Sequence, residues 1–193
     1  MSRIIAGTAG GQRLTPVPTD ATRPTTDRVK EALFSRLESW DVLRDAVVLD
    51  LYAGSGALGV EAVSRGATTA TLVDQANAAQ RALKANASLV STQRTRVEVS
   101  RRSVNAFLST YSGPDVTLAF LDPPYPLSEE ALAETLTNLD PHLAPDAVIV
   151  VERSSRSPQP TVPARWHALK ERGYGETTLW FYEIPVEEDP SAG

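Results

Sequence analysis

Short apolar and β-branched runs alternate with stretches rich in helix-forming residues, and this alternation restricts the fold more than any other feature of the chain. Strands of a buried parallel sheet have this continuous apolar character, and the helices between them form the crossover connections. The pattern therefore predicts an α/β fold with a doubly wound, mostly parallel sheet. The predicted strands are 46–51, 71–74, 97–99, 116–121 and 147–152, and the predicted helices are 58–64, 77–89, 104–111 and 129–139.

The C-terminal part of the chain departs from this alternation. Residues 154–163 contain three prolines and three serines, which is typical of a loop. Residues 166–172 and 177–184 then flank a short turn that contains Gly173 and Gly175, and no crossover helix fits between them. We predict a hairpin whose return strand, 177–184, runs antiparallel to the rest of the sheet.

The N-terminal part also differs from the central pattern. Residues 3–7 and 12–14 flank a glycine-containing turn, which predicts a small hairpin outside the main sheet. A helix is expected to begin near Asp27, with Thr25 or Thr26 as its N-cap. Its apolar stripe is formed by three residues at a spacing of four, Val29, Leu33 and Leu37.

Composition limits the class of protein. With 193 residues, 41% of them hydrophobic, the chain is long enough for one sizeable core and too short for two full domains. It contains no cysteine, and its two histidines, His142 and His167, are far apart, so we expect no metal site. The sequence shows neither a signal peptide nor a run of about 18 apolar residues. We therefore expect a soluble, cytoplasmic protein.

Charge is unevenly distributed along the chain. A net charge of −5 disfavours a nucleic-acid partner on average, because phosphate contacts require a basic surface. However, residues 1–36 carry six basic and three acidic side chains, and residues 81–102 carry six basic side chains and one acidic. These segments either contact nucleic acid or only keep exposed faces solvated.

A glycine-rich loop follows the first predicted strand of the central pattern. Asp50 lies near the end of that strand, and Gly54, Gly56 and Gly59 follow before a helix. With Asp74 after the next strand, the spacing matches the dinucleotide-binding fingerprint, so a nicotinamide-dependent oxidoreductase is one alternative. A carboxylate directly before the loop, however, does not suit a pyrophosphate.

A cationic ligand explains the acidic residues better. S-adenosylmethionine carries an ammonium and a sulfonium and no phosphate, so Asp50 and the loop amides are suited to its methionine part, while Asp74 is suited to its ribose hydroxyls. Ser103 and Val104 follow the third strand, where the adenine would lie at the carboxyl ends of the strands. An ordinary strand-to-helix turn accounts for Ser103 and Val104 equally well.

A second motif, Asp122-Pro123-Pro124-Tyr125, follows the strand 116–121. Two prolines remove backbone donors and keep the segment extended, so its carbonyls are expected to face outward as acceptors. The Asp122 side chain and the Pro123 carbonyl are suited to accept the two hydrogens of an aromatic amine, whose lone pair is then available to attack a methyl group. Tyr125 offers a flat face on which an extruded base can stack.

With both motifs identified, the chain resembles class I methyltransferases that carry Asp or Asn before Pro-Pro-Tyr. More closely, it resembles the RsmD family, the bacterial 16S rRNA (guanine(966)-N2)-methyltransferases. The segments that carry the resemblance span nearly the whole chain, and the one around residues 23–34 is the most family-specific. They are 3–7 with Gly10 and Gly11, 22–34, 50–59, 122–125, 174–177 and 181–183.

The resemblance implies a Rossmann-like, seven-stranded, mostly parallel sheet with one antiparallel strand and an N-terminal β-hairpin. It also implies S-adenosylmethionine as cofactor and, as substrate, the exocyclic N2 of a guanine in 16S rRNA of an assembling small ribosomal subunit. Residues 1–22 would form the RNA-contacting hairpin extension and residues 23–193 the methyltransferase domain, most simply as a monomer. The candidate cofactor residues are Asp50, Tyr52, Gly54, Gly56, Asp74, Gln75, Ser103 and Val104, and the candidate RNA or substrate residues are Arg3, Arg13, Arg23, Thr25 and Arg28.

Several alternatives remain at this level. Related enzymes methylate adenine N6 in DNA or RNA, cytosine N4, or glutamine amides in proteins. The glutamine enzymes usually carry Asn at the position of Asp122, so the Asp and the basic hairpin disfavour them. A non-catalytic RNA-binding or assembly factor would keep the fold without needing Asp122 and Tyr125, and fold alone does not decide function.

Overall fold

The computed structural model describes residues 2–18, 26–188 and 190–191, and within them it contains seven strands and five α-helices. The strands are β1 (Val47–Leu51), β2 (Thr69–Val73), β3 (Arg96–Ser100), β4 (Val116–Leu121), β5 (Leu143–Ser154), β6 (His167–Tyr174) and β7 (Thr177–Glu183). The helices are α1 (Asp27–Ser39), α2 (Ala57–Ser64), α3 (Asn77–Ser88), α4 (Val104–Ser109) and α5 (Glu129–Leu139), followed by a 3₁₀ turn (Asp140–His142).

All seven strands form one sheet in the order β3-β2-β1-β4-β5-β7-β6. Strands β1 to β5 pair in parallel, while β7 runs antiparallel to both β5 and β6, which confirms the predicted mixed sheet. The connection order reverses between β1 and β4. Ligands of such sheets bind at this reversal, just beyond the carboxyl ends of the strands. We call the edge of the sheet formed by these strand ends the carboxyl edge.

The strand register assigns residues to the two faces of the sheet. Asp50 of β1 is paired with Phe120 of β4, so both lie on the face covered by α1, α2 and α3. Their neighbours Leu49 and Leu121 lie on the opposite face, in the core shared with α4 and α5. Because side chains alternate along a strand, Asp122 lies on the same face as Asp50.

Helix α1 begins where the sequence predicted. Thr26 is its N-cap, and its hydroxyl accepts a hydrogen bond of 3.3 Å from the Val29 amide. Leu33 and Leu37 are buried, and Val29 packs against the same core, which confirms the predicted stripe. The end of α1 leads into the start of β1, so α1 begins near the carboxyl edge.

The N-terminal hairpin, residues 2–14, lies outside the sheet, and its two arms are joined by an antiparallel bridge between Arg3 and Arg13 and by backbone hydrogen bonds. Buried polar contacts attach it to α2. The Glu61 carboxylate accepts hydrogen bonds from the amides of Ile5 and Ala6 at 2.9–3.2 Å. The hairpin also contributes its buried apolar side chains to the main core: Ile4, Ala9 and Leu14.

A buried ion cluster links this hairpin to the first two helices. The Lys30 ammonium is 3.7 Å from Glu61 and donates to the Arg3 carbonyl at 2.5 Å. Arg65 donates to the same Glu61 at 2.9 Å. Burial lowers the pKa of Lys30, and the Glu61 charge opposes that shift.

Several predicted boundaries differ from the observed ones. The strand boundaries differ because pairing with a neighbouring strand extends the apolar runs. Strand β5 begins at Leu143, four residues before the predicted start, where Leu143 pairs with Val116 of β4. Strand β2 begins at Thr69 and ends at Val73, so Asp74 follows the strand directly. Helix α4 ends at Ser109. In the described part of the chain, no helix is long and apolar enough to cross a membrane.

Candidate active site

Asp50 lies under the glycine-rich loop and is almost fully buried. Its Oδ2 atom accepts a hydrogen bond of 2.9 Å from the Gly59 amide in the first turn of α2. A Cβ at Gly59 would lie 2.4 Å from a Leu72 methyl and 3.2 Å from the same Asp50 oxygen, so only glycine fits without movement. Burial, with a smaller contribution from Asp74, raises the pKa of Asp50 to about 7, although the Gly59 hydrogen bond opposes this.

Asp74 fixes the position of the same loop from the end of β2. Its Oδ2 accepts from the Gly54 amide at 2.9 Å, and its Oδ1 accepts from the Ala76 amide at 2.8 Å. Gly54 and Gly56 have φ values of 58° and 80°, the left-handed region that glycine adopts without strain. Each carboxylate oxygen of Asp74 can still accept a second hydrogen bond, which leaves acceptors for the predicted contact with ribose hydroxyls. That contact stays a prediction.

Tyr52 adopts a φ of 60° inside the loop, and its hydroxyl lies 3.2 Å from the Thr135 hydroxyl of α5. Burial raises the pKa of Tyr52, which remains a neutral phenol. The Tyr52 side chain therefore links the glycine-rich loop to α5. Gln75 is exposed immediately after Asp74, consistent with the predicted position at the carboxyl edge.

Ser103 and Val104 have clear structural roles in the described chain. The Ser103 hydroxyl accepts from the Ala106 amide at 3.2 Å and caps α4, and Val104, the first residue of that helix, is buried. The ordinary strand-to-helix turn, which was the alternative explanation for these two residues, is thus present. A role of these two residues in adenine binding stays a prediction.

The second motif directly follows β4, at the same edge as the glycine-rich loop. Pro123 is buried, whereas the Tyr125 ring is 60% exposed. The Pro124 carbonyl accepts the Leu127 amide at 3.0 Å in a turn, so one of its two acceptor positions is used within the protein, and its predicted role at the substrate stays a prediction. The Pro123 carbonyl remains the candidate backbone acceptor.

A partly buried acid that the sequence analysis missed, Glu152, lies beside Asp122. The β4–β5 register pairs Leu121 with Val151, so Asp122 and Glu152 are neighbours on adjacent strands, and their carboxyl groups hydrogen bond. Burial, Glu152 and Asp50 together raise the pKa of Asp122 well above its ordinary value. The signal in the sequence was an acid at the end of an apolar run, as at Asp50.

Asn86 of α3 was also missed. Its side chain is fully buried and forms two hydrogen bonds with the backbone of Thr15, at 2.8 and 2.9 Å. Its amide also donates to the Ser55 carbonyl of the glycine-rich loop at 2.8 Å. The Asn86 side chain thereby joins the segment that follows the N-terminal hairpin to the glycine-rich loop.

The candidate RNA-contacting residues are only partly described. Arg3 and Arg13 lie opposite each other in the hairpin with exposed side chains, and Arg28 is exposed in the first turn of α1. Arg23 and Thr25 lie outside the described residues.

The site suits a cationic ligand. Asp50, Asp74, Asp122 and Glu152 place carboxylates at the carboxyl edge, and a Cβ added at Gly54 would meet no atom within 4 Å, so the loop has open space beside it. Within the described ranges, no group of three or more potential ligands could hold a metal ion. The sheet, the glycine-rich loop between two acids and the second motif together define a class I methyltransferase that uses S-adenosylmethionine.

Comparisons with known proteins agree with this class and narrow it. The chain belongs to the family described as "Conserved hypothetical protein 95", whose model matches residues 2–183, and the resemblance to the RsmD family is confirmed. It is 38% identical to ribosomal RNA small subunit methyltransferase D of Escherichia coli K12, over 98% of this chain and 93% of that relative.

Solved structures support the fold. The structure of the Escherichia coli protein YhhF matches with a TM-score of 0.81 at 37% identity, over 95% of this chain and 97% of that one. Magnesium protoporphyrin IX methyltransferase from Synechocystis PCC 6803, solved with bound S-adenosylmethionine, matches with a TM-score of 0.63. Its identity is only 10%, over 84% of this chain and 86% of that one, so it supports the fold alone.

Proposed function

We propose that this protein methylates the exocyclic N2 of a guanine in 16S rRNA, at the position its family name specifies, during assembly of the small ribosomal subunit. The observation that carries the proposal is that the segment with Asp122 and Tyr125 follows β4, the glycine-rich loop follows β1, and these two strands are paired neighbours in the sheet. The name of the Escherichia coli relative supports ribosomal RNA as the substrate.

The chemistry follows from the acceptors at this edge. When bound, S-adenosylmethionine supplies the methyl group, and its S–C bond breaks as the N–C bond forms, leaving a neutral thioether and a cationic amine. Asp122 and the Pro123 carbonyl accept the two amino hydrogens, which frees the nitrogen lone pair and stabilises the positive charge that develops. Exposed Tyr125 stacks on the base, an interaction worth about 1–3 kcal/mol.

The basic surfaces are suited to RNA. Residues 1–22 would form the RNA-contacting extension and 23–193 the methyltransferase domain, with exposed Arg3, Arg13 and Arg28 at phosphates. Exposed basic side chains on α3 and on either side of β3 add positive charge. They include Arg81 and Lys84 of α3, Arg94 before β3 and Arg101 after it. This distribution reconciles a net charge of −5 with a polyanionic partner. We propose that the protein acts as a monomer in the cytoplasm, where ribosomal subunits assemble.

The substrate class is tested by transfer of labelled methyl from S-adenosylmethionine. Small ribosomal subunits that lack the modification, their naked RNA, duplex DNA and total protein serve as acceptors in parallel reactions. We expect label in the RNA of the subunits. Label confined to DNA or to protein would contradict the proposal and would favour the N6-adenine or glutamine alternatives.

A substitution at Asp122 tests its role, and Asp115, at the other end of β4, provides the matched control. Asp122→Ala should abolish methyl transfer while cofactor affinity changes only a few-fold, because the substitution removes the acceptor at the amine. Asp115→Ala, an exposed aspartate just before β4 at the opposite edge, should leave turnover unchanged. Wild-type turnover by the Asp122 variant would remove this residue from the catalytic site.

A further inference from the structure

Three basic side chains lie together where α1 meets the edge of the sheet, and neither the proposed chemistry nor the RNA surface described above uses them. They are Arg36 of α1 and Lys170 and Arg172 of β6, and we call them the α1–β6 patch. The Arg172 side chain is exposed, and those of Arg36 and Lys170 are partly exposed. Strand β6 forms one edge of the sheet, so the patch lies at the periphery of the fold.

Packing between α1 and the sheet brings the three cations together. Lys170 pairs with Phe181 of β7, whose ring meets the Trp40 ring edge-on at 5.4 Å between centroids. The Arg36 guanidinium lies 5.6 Å from the centre of the same Trp40 ring. Arg172, two residues after Lys170, points to the same face of the sheet. The charges of Arg172 and Arg36 lower the pKa of Lys170, as expected for like charges at short range.

Acidic side chains near the patch are directed elsewhere. Glu31 and Glu38 of α1 both pair with Arg65 at the end of α2. Glu171, between the two cations of β6, points to the opposite face of the sheet, and Glu183 lies at the end of β7, beside the start of β6. In the described part of the chain, none of the three cations of the patch forms an ion pair. The patch therefore concentrates uncompensated positive charge in a chain whose net charge is −5.

The strand register places this patch on the same face of the sheet as the second motif. One row across the sheet is formed by Asp122 after β4, Glu152 of β5, Leu179 of β7 and Arg172 of β6. The two ends of the row are three strand spacings apart, which is about 14 Å. RNA that presents a base at Asp122 can therefore reach the patch with a phosphate only a few nucleotides away.

We propose that the α1–β6 patch binds phosphates of the RNA substrate and orients that RNA on the face of the sheet that carries Asp122. The inference rests on the proposed RNA substrate. Arg36 and Arg172 suit phosphate because a guanidinium donates two parallel hydrogen bonds to it, and the Lys170 ammonium adds a point charge. Such contacts fix the orientation of a nucleic acid without reading its sequence. Their loss should therefore raise KM for RNA and leave kcat unchanged.

The salt dependence of binding tests the patch without any turnover. The probe is unmodified 16S rRNA, and its affinity is measured between 50 and 200 mM salt. Each lost phosphate contact lowers the slope of log affinity against log salt by about 0.7–0.9, so the double variant Lys170→Gln with Arg172→Gln should lower it by about 1.4–1.8. If both proteins bind equally at 1 M salt, the double variant binds about 10²-fold more weakly at 50 mM and about tenfold more weakly at 200 mM. Arg36→Gln should lower the slope by about half as much as the double variant.

A second double variant with the same change in net charge is the control. Arg44→Gln with Arg165→Gln removes two exposed cations before β1 and β6, at the edge of the sheet opposite the carboxyl edge. This control should keep the wild-type slope. In every variant, kcat at saturating RNA and KM for S-adenosylmethionine should stay within about twofold of wild type, whereas a purely structural defect would lower kcat or the midpoint of a denaturant melt.

The outcomes separate this inference from the proposed function. A wild-type slope in the Lys170 and Arg172 double variant would overturn the proposal. So would a change of slope with small subunits but not with naked 16S rRNA, because the patch would then contact ribosomal protein. If the slopes change as expected but the wild-type protein transfers no methyl to RNA, the proposed function is refuted and the patch is supported. A wild-type protein without affinity for the RNA or the subunits would overturn both.

Discussion

Cofactor affinity should rise with pH through the ionisation of Asp50. We propose that Asp50 attracts the ammonium of the cofactor; the pKa of this buried carboxyl is raised to about 7, and only its ionised form would attract that cation. A group with this pKa is roughly 3% ionised at pH 5.5 and half ionised at pH 7. If the protonated form contributes no attraction, affinity increases by up to about 16-fold over this range, which corresponds to roughly 1.6 kcal/mol.

The sign of this effect follows from which form binds. Because the ligand favours the carboxylate, binding lowers the pKa of Asp50 and releases a proton wherever the free protein holds one. Affinity is therefore weak below the free-protein pKa and reaches a plateau above it. The α-amino group of the ligand is that of a free amino acid, whose adjacent carboxylate keeps it protonated across this range, so it does not contribute.

Isothermal titration calorimetry with S-adenosylhomocysteine measures the effect without turnover. At pH 5.5, titrations in two buffers of different ionisation enthalpy should show release of close to one proton, and at pH 8 almost none. Asp50→Asn should bind weakly at all pH values with no slope, whereas Asp122→Asn should keep the wild-type slope. An affinity for the wild-type protein that does not change between pH 5.5 and 7 would refute the role assigned to Asp50.

Three further predictions test the glycine-rich loop, the buried ion cluster and the RNA surface. Gly59→Ala introduces a Cβ only 2.4 Å from a buried leucine methyl, so we expect weaker cofactor binding and a loss of about 1–3 kcal/mol in a denaturant melt; unchanged values would contradict the close packing. Lys30→Met removes a buried ammonium that pairs with Glu61 and donates to the Arg3 carbonyl, while Arg65 still pairs with Glu61, and it should cost about 1–3 kcal/mol in the same assay. Arg44→Met breaks an exposed pair and should cost under about 1 kcal/mol; equal costs would refute the buried cluster. Replacing Arg3 and Arg13 with Ala should weaken binding to subunit particles and reduce its salt dependence, and an unchanged salt slope would place the RNA surface elsewhere.

The central strands of the sheet, β1 and β4, were predictable because they are buried on both faces. Continuous apolar runs such as 116–121 leave few other structures for the chain, and the glycine-rich loop and Asp122 follow such runs directly. Boundaries were less predictable because they depend on partners. Strand β5 extends back to Leu143 only because β4 pairs with it there.

The contacts within the site required the tertiary structure. Glu152 is visible in the sequence as an acid after an apolar run, but its position beside Asp122 depends on the strand order, which places β5 next to β4. Asn86 lies in an ordinary amphipathic helix, and nothing in the spacing indicates that it bonds to Thr15 and Ser55. Long-range polar contacts of this kind carry no local periodicity.

Nucleoside analysis of RNA methylated by the wild-type protein tests the central claim most directly. Small ribosomal subunits that lack the modification are treated with S-adenosylmethionine, and the RNA is digested to nucleosides and separated by liquid chromatography with mass detection. We expect N2-methylguanosine, formed by the wild-type protein and absent with Asp122→Ala. N6-methyladenosine, or no methylated nucleoside from a protein that still binds the cofactor, would contradict it.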